Sequence, residues 1–180
     1  NRVYKVRYAD GSVITSFASP ARKMSGVAVG GGAVWTSHNQ SPSSVFKFDP
    51  ATGQCLEWII LTQPNEGGVH GLEWDDGTLW TSRPGMKALH RIDPSTGEVV
   101  QKIDFPGSRG HGLFIDGNRI ACNDTSLSVI FVFDKANGAL IEEISVDGIE
   151  PHGMTLSADR RIWITDDKPR NIAAATWPMD

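Results

Sequence analysis

Three histidines, each followed by a glycine, recur at a constant spacing along the chain. They are His70, His111 and His152, and each lies 41 residues from the next. Neutral imidazole nitrogens are common ligands of Zn²⁺, and three of them leave the fourth position of a tetrahedral site open for water. Water bound in this way has a pKa of about 7, and the ion can also polarise a carbonyl. The spacing therefore predicts a divalent-metal site, with zinc as the favoured ion.

The same histidines also have a purely structural interpretation. A repeated sequence copies its residues whether or not each copy acts, and an imidazole at a strand start can simply bond a neighbouring backbone carbonyl. The first copy of the pattern has Ser25 in place of the histidine. If a ligand is bound, Ser25 faces the open position beside the three imidazoles. Both interpretations stay open at this point.

Polar residues also recur in the loops next to these histidines. In the loops that leave the second strands, the residues are His38, Arg83, Asp124 and Asp167. In the loops that lead into the first strands, they are Lys23, Glu66, Arg109 and Glu150. The predicted acid–base groups are the carboxylates Glu66, Glu150, Asp124 and Asp167. The predicted substrate contacts are His38, Arg83, Arg109 and Ser25. Loops are also polar because they meet water, and this alternative stays open.

The elements that must position these residues form an internal repeat. One copy covers residues 26–61, the next 71–104 and a third 112–145. Within each copy, apolar and polar residues alternate with the period of a β-strand, and glycine-containing turns separate the runs. Residues 49–53, 93–97 and 134–138 are typical of the turn between a third and a fourth strand. Each copy is therefore predicted to be a four-stranded antiparallel meander.

The two ends of the chain each match half of a copy. Residues 3–17 match the last two strands, and residues 153–166 match the first two. Pairing of these half-blades would close a ring and remove exposed sheet edges, as in β-propellers. The prediction is one all-β domain over residues 1–180, a β-propeller of about four blades with a composite blade. Three alternatives remain open: a competing third strand at residues 171–176, two chains that share a larger ring, and a part of a longer propeller.

A propeller explains how residues 41 positions apart can meet. The first strand of every blade lines the central axis, so the strand starts converge there. Trp35, Trp80 and Trp163 recur with the period of the fold itself, which predicts that they fill the core between blades. His90 lies in a third strand, away from the axis, and is predicted to be structural.

Composition narrows the range of partners. The formal net charge is −4 and no run of lysines or arginines follows a phosphate backbone, so nucleic acid is excluded as a partner. No apolar run approaches the ~20 residues of a membrane helix, so no membrane contact is predicted. Cys55 and Cys122 lie in different copies and are predicted to be buried, unpaired thiols. The predicted partner is a small-molecule ligand or substrate, and the chain is expected as a monomer or as a homodimer that completes a larger ring.

The repeat resembles that of the NHL/SMP-30-like propeller superfamily, and most of all that of the streptogramin (virginiamycin B) lyase group. The resemblance is carried by PHGM at 151–154, IWITD at 162–166, LWTS at 79–82 and LHRIDPSTG at 89–97. It implies the fold more narrowly than the activity, because the same repeat serves lyases, lactonases, cyclotransferases and scaffolds.

The histidine pattern is also similar to that of the lyase domain of peptide-amidating enzymes, which holds zinc with such histidines. This resemblance implies that His70, His111 and His152 are the metal ligands. Those enzymes usually have six or seven blades, and the only tyrosines here, Tyr4 and Tyr8, lie in the amino-terminal half-blade. Amidating activity is therefore not predicted.

Taken together, the residues and the resemblance favour a metal-dependent lyase or hydrolase that acts on a small ester, lactone or related metabolite. The histidine ring would hold the ion, and the loop residues would move protons. The alternative is a non-catalytic propeller that binds a ligand or another protein and keeps its histidines as part of the repeat.

Overall fold

The computed structural model describes residues 1–61 and 67–177, and its described part is built from antiparallel β-strands with one 3₁₀ turn at Pro84–Met86. The strands up to the second repeat are β1 (Arg2–Val6), β2 (Val13–Ala18), β3 (Met24–Gly30), β4 (Ala33–His38), β5 (Ser44–Phe48) and β6 (Cys55–Ile60). Those of the second repeat are β7 (Leu72–Asp75), β8 (Thr78–Arg83), β9 (Ala88–Ile92) and β10 (Val99–Asp104). The remaining strands are β11 (Gly110–Asp116), β12 (Arg119–Asp124), β13 (Val129–Asp134), β14 (Leu140–Ser145), β15 (Pro151–Leu156), β16 (Arg161–Asp166) and β17 (Asn171–Thr176).

Consecutive strands pair into four blades. Blade 1 contains β3–β6, blade 2 contains β7–β10, blade 3 contains β11–β14 and blade 4 contains β15–β17. Neighbouring blades contact each other through their first strands, in the order β3, β7, β11 and β15. The predicted all-β, four-bladed propeller is therefore confirmed.

The strand pairing at the chain ends differs from the prediction. β17 pairs with β16 and takes the third position of blade 4, whereas β1 and β2 form a two-stranded sheet of their own. Among the residues that the structure describes, no composite ladder joins the two ends, and the alternative at residues 171–176 is the one that forms. The short turn between β16 and β17 explains this result, because a local pair closes a much smaller loop than a pair between chain ends.

The β1–β2 hairpin still connects the first and last blades, through side chains. Tyr8 meets Trp163 of blade 4 edge to face, with ring centroids 5.5 Å apart, and its hydroxyl donates to Asp159 at 3.2 Å. At the other end of the hairpin, Phe17 contacts Phe48 of blade 1 with ring centroids 5.0 Å apart. The hairpin thus spans the space between blades 4 and 1.

Apolar side chains fill the interfaces between blades. Trp35 stacks on Trp74 of the next blade with ring centroids 5.4 Å apart, and Trp80 is buried between blades 2 and 3, as predicted. Trp163 is only half-buried. Cys122 is buried as predicted, but the prediction is wrong for Cys55, which is exposed because it begins the outermost strand of blade 1.

Glycines at the starts of the first strands let neighbouring blades approach to backbone contact. A Cβ atom on Gly71 would lie 2.1 Å from the carbonyl oxygen of His111, and one on Gly112 would lie 2.2 Å from the amide nitrogen of Met154. The same holds at Gly26, where the nearest backbone atom would be 2.3 Å away. Only glycine allows this approach. Gly71 and Gly112, the glycines of two His-Gly pairs, are thus required by packing around the axis, whereas a Cβ on Gly153 would meet only the Thr165 side chain.

A hydrogen-bond relay joins the same strand starts from blade to blade. The hydroxyl of Ser37 accepts the N–H of Gly26 in its own blade and donates to the carbonyl of His70 in the next, both at 2.6 Å. Ser82 repeats this arrangement, and its hydroxyl donates to the carbonyl of His111 at 2.5 Å. The carbonyls of His70 and His111 are therefore each bound by a seryl hydroxyl of the preceding blade.

The relay changes in the last two blades. Between blades 3 and 4, the amide of Asn123 donates to the carbonyl of His152 at 3.2 Å. In blade 4, the hydroxyl of Thr165 accepts the N–H of Gly153 at 2.6 Å but turns back to the carbonyl of the same glycine at 3.4 Å. The interface between blades 4 and 1 therefore differs from the other three.

We expect the substitution Gly71→Ala to destabilise the fold by roughly 3 kcal/mol, because the added methyl group meets backbone that cannot rotate away. Urea unfolding of the purified variant measures this loss. The matched control is Gly153→Ala, whose Cβ would meet only the Thr165 side chain, 2.9 Å from its hydroxyl. The control should lose less than about 1 kcal/mol. Equal losses in the two variants would contradict the role given to backbone contact.

Candidate functional site

The three repeated histidines lie side by side at the propeller axis. The ring centroids of His70 and His111 are 4.6 Å apart with an interplanar angle of 43°, and those of His111 and His152 are 4.1 Å apart with an angle of 22°. His111 and His152 are therefore stacked face to face, and the ring of His70 continues the row at a tilt.

Hydrogen bonds determine which nitrogen of His111 carries the proton. The hydroxyl of Thr125 donates to the carbonyl of Pro151 at 2.7 Å, so its oxygen accepts from Nδ1 of His111. A neutral His111 consequently has its proton on Nδ1 and a free lone pair on Nε2. Sequence reasoning missed Thr125, whose role only the fold reveals.

His70 has the opposite protonation. Its Nε2 donates to the carbonyl of Gly67 at 3.2 Å, which leaves the lone pair on Nδ1. This nitrogen lies 3.5 Å from the hydroxyl oxygen of Ser25. Ser25 thus lies beside the histidine row, where the repeat places it.

Burial keeps the imidazoles uncharged. It lowers the pKa of His70 to about 4 and that of His111 to about 3, and the charges of neighbouring imidazoles and of Arg109 act in the same direction. Burial also lowers the pKa of His152, but the carboxylate of Asp167 opposes this shift. No carboxylate opposes the shift at His111. The pKa of His152 is therefore lowered less than that of His111.

Two of the predicted loop residues lie close to the histidine row. Arg109 is exposed, and its positive charge lowers the pKa of all three imidazoles. Asp167 is also exposed and lines, with His152, a small cavity of about 270 Å³. A cation and an anion therefore flank the row.

Two other predicted loop residues, Arg83 and His38, are buried and hold loops in place. Arg83 is fully buried, and its guanidinium donates to the carbonyl of Gly68 at 2.9 Å and to the hydroxyl of Ser43 at 3.2 Å. Nδ1 of His38 lies 3.3 Å from the carbonyl of Pro42. Their predicted role in substrate contact therefore does not fit their positions.

Asp124 has a similar structural role, which corrects its predicted role in proton transfer. One carboxylate oxygen accepts two backbone N–H groups, each at 2.8 Å, and the other accepts two more at 2.9 and 3.0 Å. The pairing of Pro151 with Asp166 shows that Asp166, not Asp167, is the equivalent residue of blade 4. Asp166 also accepts backbone N–H groups, from Glu150 and Lys168. In blade 4, the predicted residue Asp167 thus lies one position beyond the residue that is equivalent to Asp124.

The two predicted glutamates are not part of the described row. Glu150 is half-buried and forms an ion pair with Lys168, with an N–O distance of 3.4 Å. It lines neither cavity. Glu66 lies outside the described residues.

A cavity of about 400 Å³ opens beside the histidine row, and first-strand residues of all four blades line it, with blade 4 contributing most. Its polar lining includes Ser25, His111 and His152. Its apolar lining includes Val27, Met154, Trp163 and Ile172. A concave apolar site with a few polar groups is typical of small-molecule binding.

The stacked row does not fit the predicted metal site. Three histidines that share Zn²⁺ point their nitrogen lone pairs at one centre, each about 2.0–2.1 Å away. Here the rings lie beside one another in a row. The nitrogen with the free lone pair is Nδ1 in His70 but Nε2 in His111. Within residues 1–61 and 67–177, no group of three or more His, Cys, Asp or Glu is arranged to hold a metal ion. The same part of the chain contains no helix that is long and apolar enough to cross a membrane.

The low imidazole pKa values predict that stability falls in acid. Unfolded histidines bind protons at a pKa of 6.5, whereas His70, His111 and His90 in the fold bind them only at about 3–4. The unfolded state therefore binds more protons between these values, and the free energy of unfolding decreases as the pH falls from about 6.5 to 4.

Urea unfolding at several pH values measures this dependence. We expect a shallower pH dependence in the double variant His70→Asn and His111→Asn, because His90 then remains as the main shifted group. An unchanged slope would contradict the view that these two imidazoles are held neutral by the fold.

Comparisons with known proteins show the fold. No protein-family model and no curated protein matches the sequence. The glutaminyl cyclase of Myxococcus xanthus is a structural neighbour with a TM-score of 0.76 and 14% identity, and the match covers 96% of this chain and 80% of that one. The computationally designed protein Ika4 has a TM-score of 0.60 and 14% identity, over 87% of this chain and 92% of that one.

Virginiamycin B lyase from Staphylococcus aureus is another neighbour. A catalytically inactive histidine-to-alanine variant, with quinupristin, has a TM-score of 0.66 and 20% identity, and the match covers 99% of this chain. The chain spans 60% of the length of that lyase. The predicted likeness to the streptogramin lyase group is confirmed at the level of the propeller fold. Membership of the wider NHL/SMP-30 superfamily stays a prediction.

Proposed function

We propose that the chain is an enzyme of the lyase or hydrolase class that acts on a small ester, lactone or related metabolite. The observation that carries this proposal is the pair of neutral imidazoles, His111 and His152, that line a cavity of about 400 Å³. Neutral imidazoles can accept protons at neutral pH, and the cavity has the size and lining of a small-molecule site.

His152 is the proposed general base. It lines the cavity, and Asp167 counteracts the loss of basicity that burial causes. In a lyase, the base removes a proton from the carbon next to a carbonyl, and the electron pair forms a double bond as the carbon–oxygen bond to the leaving group breaks. In a hydrolase, it removes a proton from water as the oxygen attacks the carbonyl, and the proton then passes to the leaving alcohol.

The other residues of the site bind and orient the substrate. Nε2 of His111 accepts a hydrogen bond from the substrate, because its Nδ1 is committed to Thr125. Arg109 attracts the negative charge that develops on the carbonyl oxygen. The hydroxyl of Ser25 supplies a donor at the same end of the cavity.

The structural neighbours support an enzymatic propeller. They include a glutaminyl cyclase and a virginiamycin B lyase, and in the lyase a histidine-to-alanine variant is catalytically inactive. The competing proposal is a non-catalytic binding module. One observation favours it: Nε2 of His70 bonds the carbonyl of Gly67, as a structural histidine would.

Kinetics with a panel of small esters and lactones tests the proposal. We expect the substitution His152→Asn to lower kcat by about 10²–10⁴-fold, since it removes the base. The matched control is His90→Asn, which removes a buried histidine from a third strand and should leave kcat within about threefold. Both variants are first checked for folding by circular dichroism. Equal losses in the two variants, or no turnover of any ester by the wild type, would favour the binding module.

Metal dependence stays a separate prediction. The histidine spacing predicts about one bound transition metal, whereas the stacked row predicts none, and we expect the second result. Elemental analysis of the purified protein decides between them, with a triple variant, His70→Ala, His111→Ala and His152→Ala, as the control. One metal equivalent that disappears in the variant would show that the rings rotate to share an ion.

A further inference from the structure

The cavity beside the histidines is lined unevenly. Ser25, His111 and His152 form a polar part, and an apolar slot lies between Val27 of blade 1 and side chains of blade 4. The blade 4 side chains are Met154, Trp163 and Ile172, with Thr155 beside them. Trp163 offers an aromatic ring and Met154 a thioether, and both favour contact with a flat aromatic group.

Apolar side chains that are exposed in the slot have buried counterparts at the other interfaces between blades. Val27 is 46% exposed, whereas Leu113, which also follows the first-strand glycine, is 1% exposed. Ile172 is 65% exposed, and Trp163 is half-buried although Trp80 is fully buried. Contiguous apolar surface of this kind marks a binding site, because covering it removes apolar area from water.

The volume of the cavity determines what kind of partner fits. About 400 Å³ lies within the range of roughly 300–1,000 Å³ that small-molecule sites occupy. The slot therefore has the volume of a small-molecule site.

The polar groups around the cavity specify the polar part of that molecule. Arg109 is an exposed cation and Asp167 an exposed anion, and their charges act in opposite directions on His152. Nε2 of the neutral His111 can only accept a hydrogen bond, whereas the hydroxyl of Ser25 can donate one to a carbonyl or carboxylate oxygen. We therefore propose that the slot binds the aromatic body of the substrate, an aromatic ester or lactone whose carbonyl oxygen accepts from the hydroxyl of Ser25, beside His111 and His152.

This inference rests on the proposed function for its ester, but its binding step can be tested alone. The probe is 1-naphthoate, which combines an aromatic body with a carboxylate and cannot be turned over. Its binding is measured by isothermal titration calorimetry. The substitution Val27→Phe fills the slot without touching a histidine, and we expect it to raise the Kd at least about tenfold, the loss of roughly one good apolar contact.

Two matched variants make the result specific. Val29→Phe places the same side chain on the same strand, at a residue that is 71% exposed and does not line the cavity, and should leave the Kd within about threefold. His90→Asn changes a buried histidine that does not line the cavity, and should also leave the Kd within about threefold. Because naphthoate binding is measured without turnover, these variants test the slot separately from the catalytic proposal.

The outcomes are distinct. Loss of naphthoate binding in Val27→Phe alone supports the slot. If the wild type turns over no ester, that result contradicts the proposed function but not the slot. Equal naphthoate binding in the wild type, Val27→Phe and Val29→Phe overturns the slot. A dimer in analytical ultracentrifugation that dissociates in Val27→Phe also overturns it, because a second copy would then cover these residues.

Discussion

The structure depends on the backbone contact between successive blades at the propeller axis. A first-strand glycine in one blade lies against the backbone of the next blade so closely that no Cβ fits between them. The seryl hydroxyls of the second strands then use both their donor and their acceptor across this contact, so that the buried carbonyls and N–H groups there are paired. Because glycine has no side chain, the residue before it supplies the group that faces the axis. The repeat that builds the ring therefore also brings the three histidines together.

Crowding at the axis determines the chemistry of these histidines. Burial is the main reason why the pKa values of the imidazoles are lowered. The ring centroids are only 4.1–4.6 Å apart, so a proton on one ring also disfavours a proton on its neighbour. The strands make the three positions nearly equivalent, and the loops make them different. Thr125 fixes the tautomer of His111, and Asp167 raises the basicity of His152.

The features that could be predicted from the sequence are those that the repeat itself encodes. The alternation of apolar residues and the recurring turns located the strands, and the constant spacing brought His70, His111 and His152 to one axis. The predictions failed where a local or buried interaction overrides the pattern. β17 forms because a nearby strand pairs at a lower entropic cost than a distant one. Asp124 and Arg83 look like exposed loop residues in the sequence, but buried backbone groups bind them. A repeat alignment cannot show which polar side chains turn inward.

The asymmetry of the ring explains why the cavity lies where it does. Three of the interfaces between blades are closed by the glycine contact and by a side chain that reaches the next histidine carbonyl. At the fourth, the hydroxyl of Thr165 turns back to its own blade, and the β1–β2 hairpin bridges blades 4 and 1 through side chains such as Tyr8 and Phe17. The hairpin supplies no strand to line the axis, so the inner apolar faces of blades 1 and 4 remain uncovered. Because the histidine row borders this opening, the one interface that departs from the repeat is also the one where a ligand can reach the imidazoles.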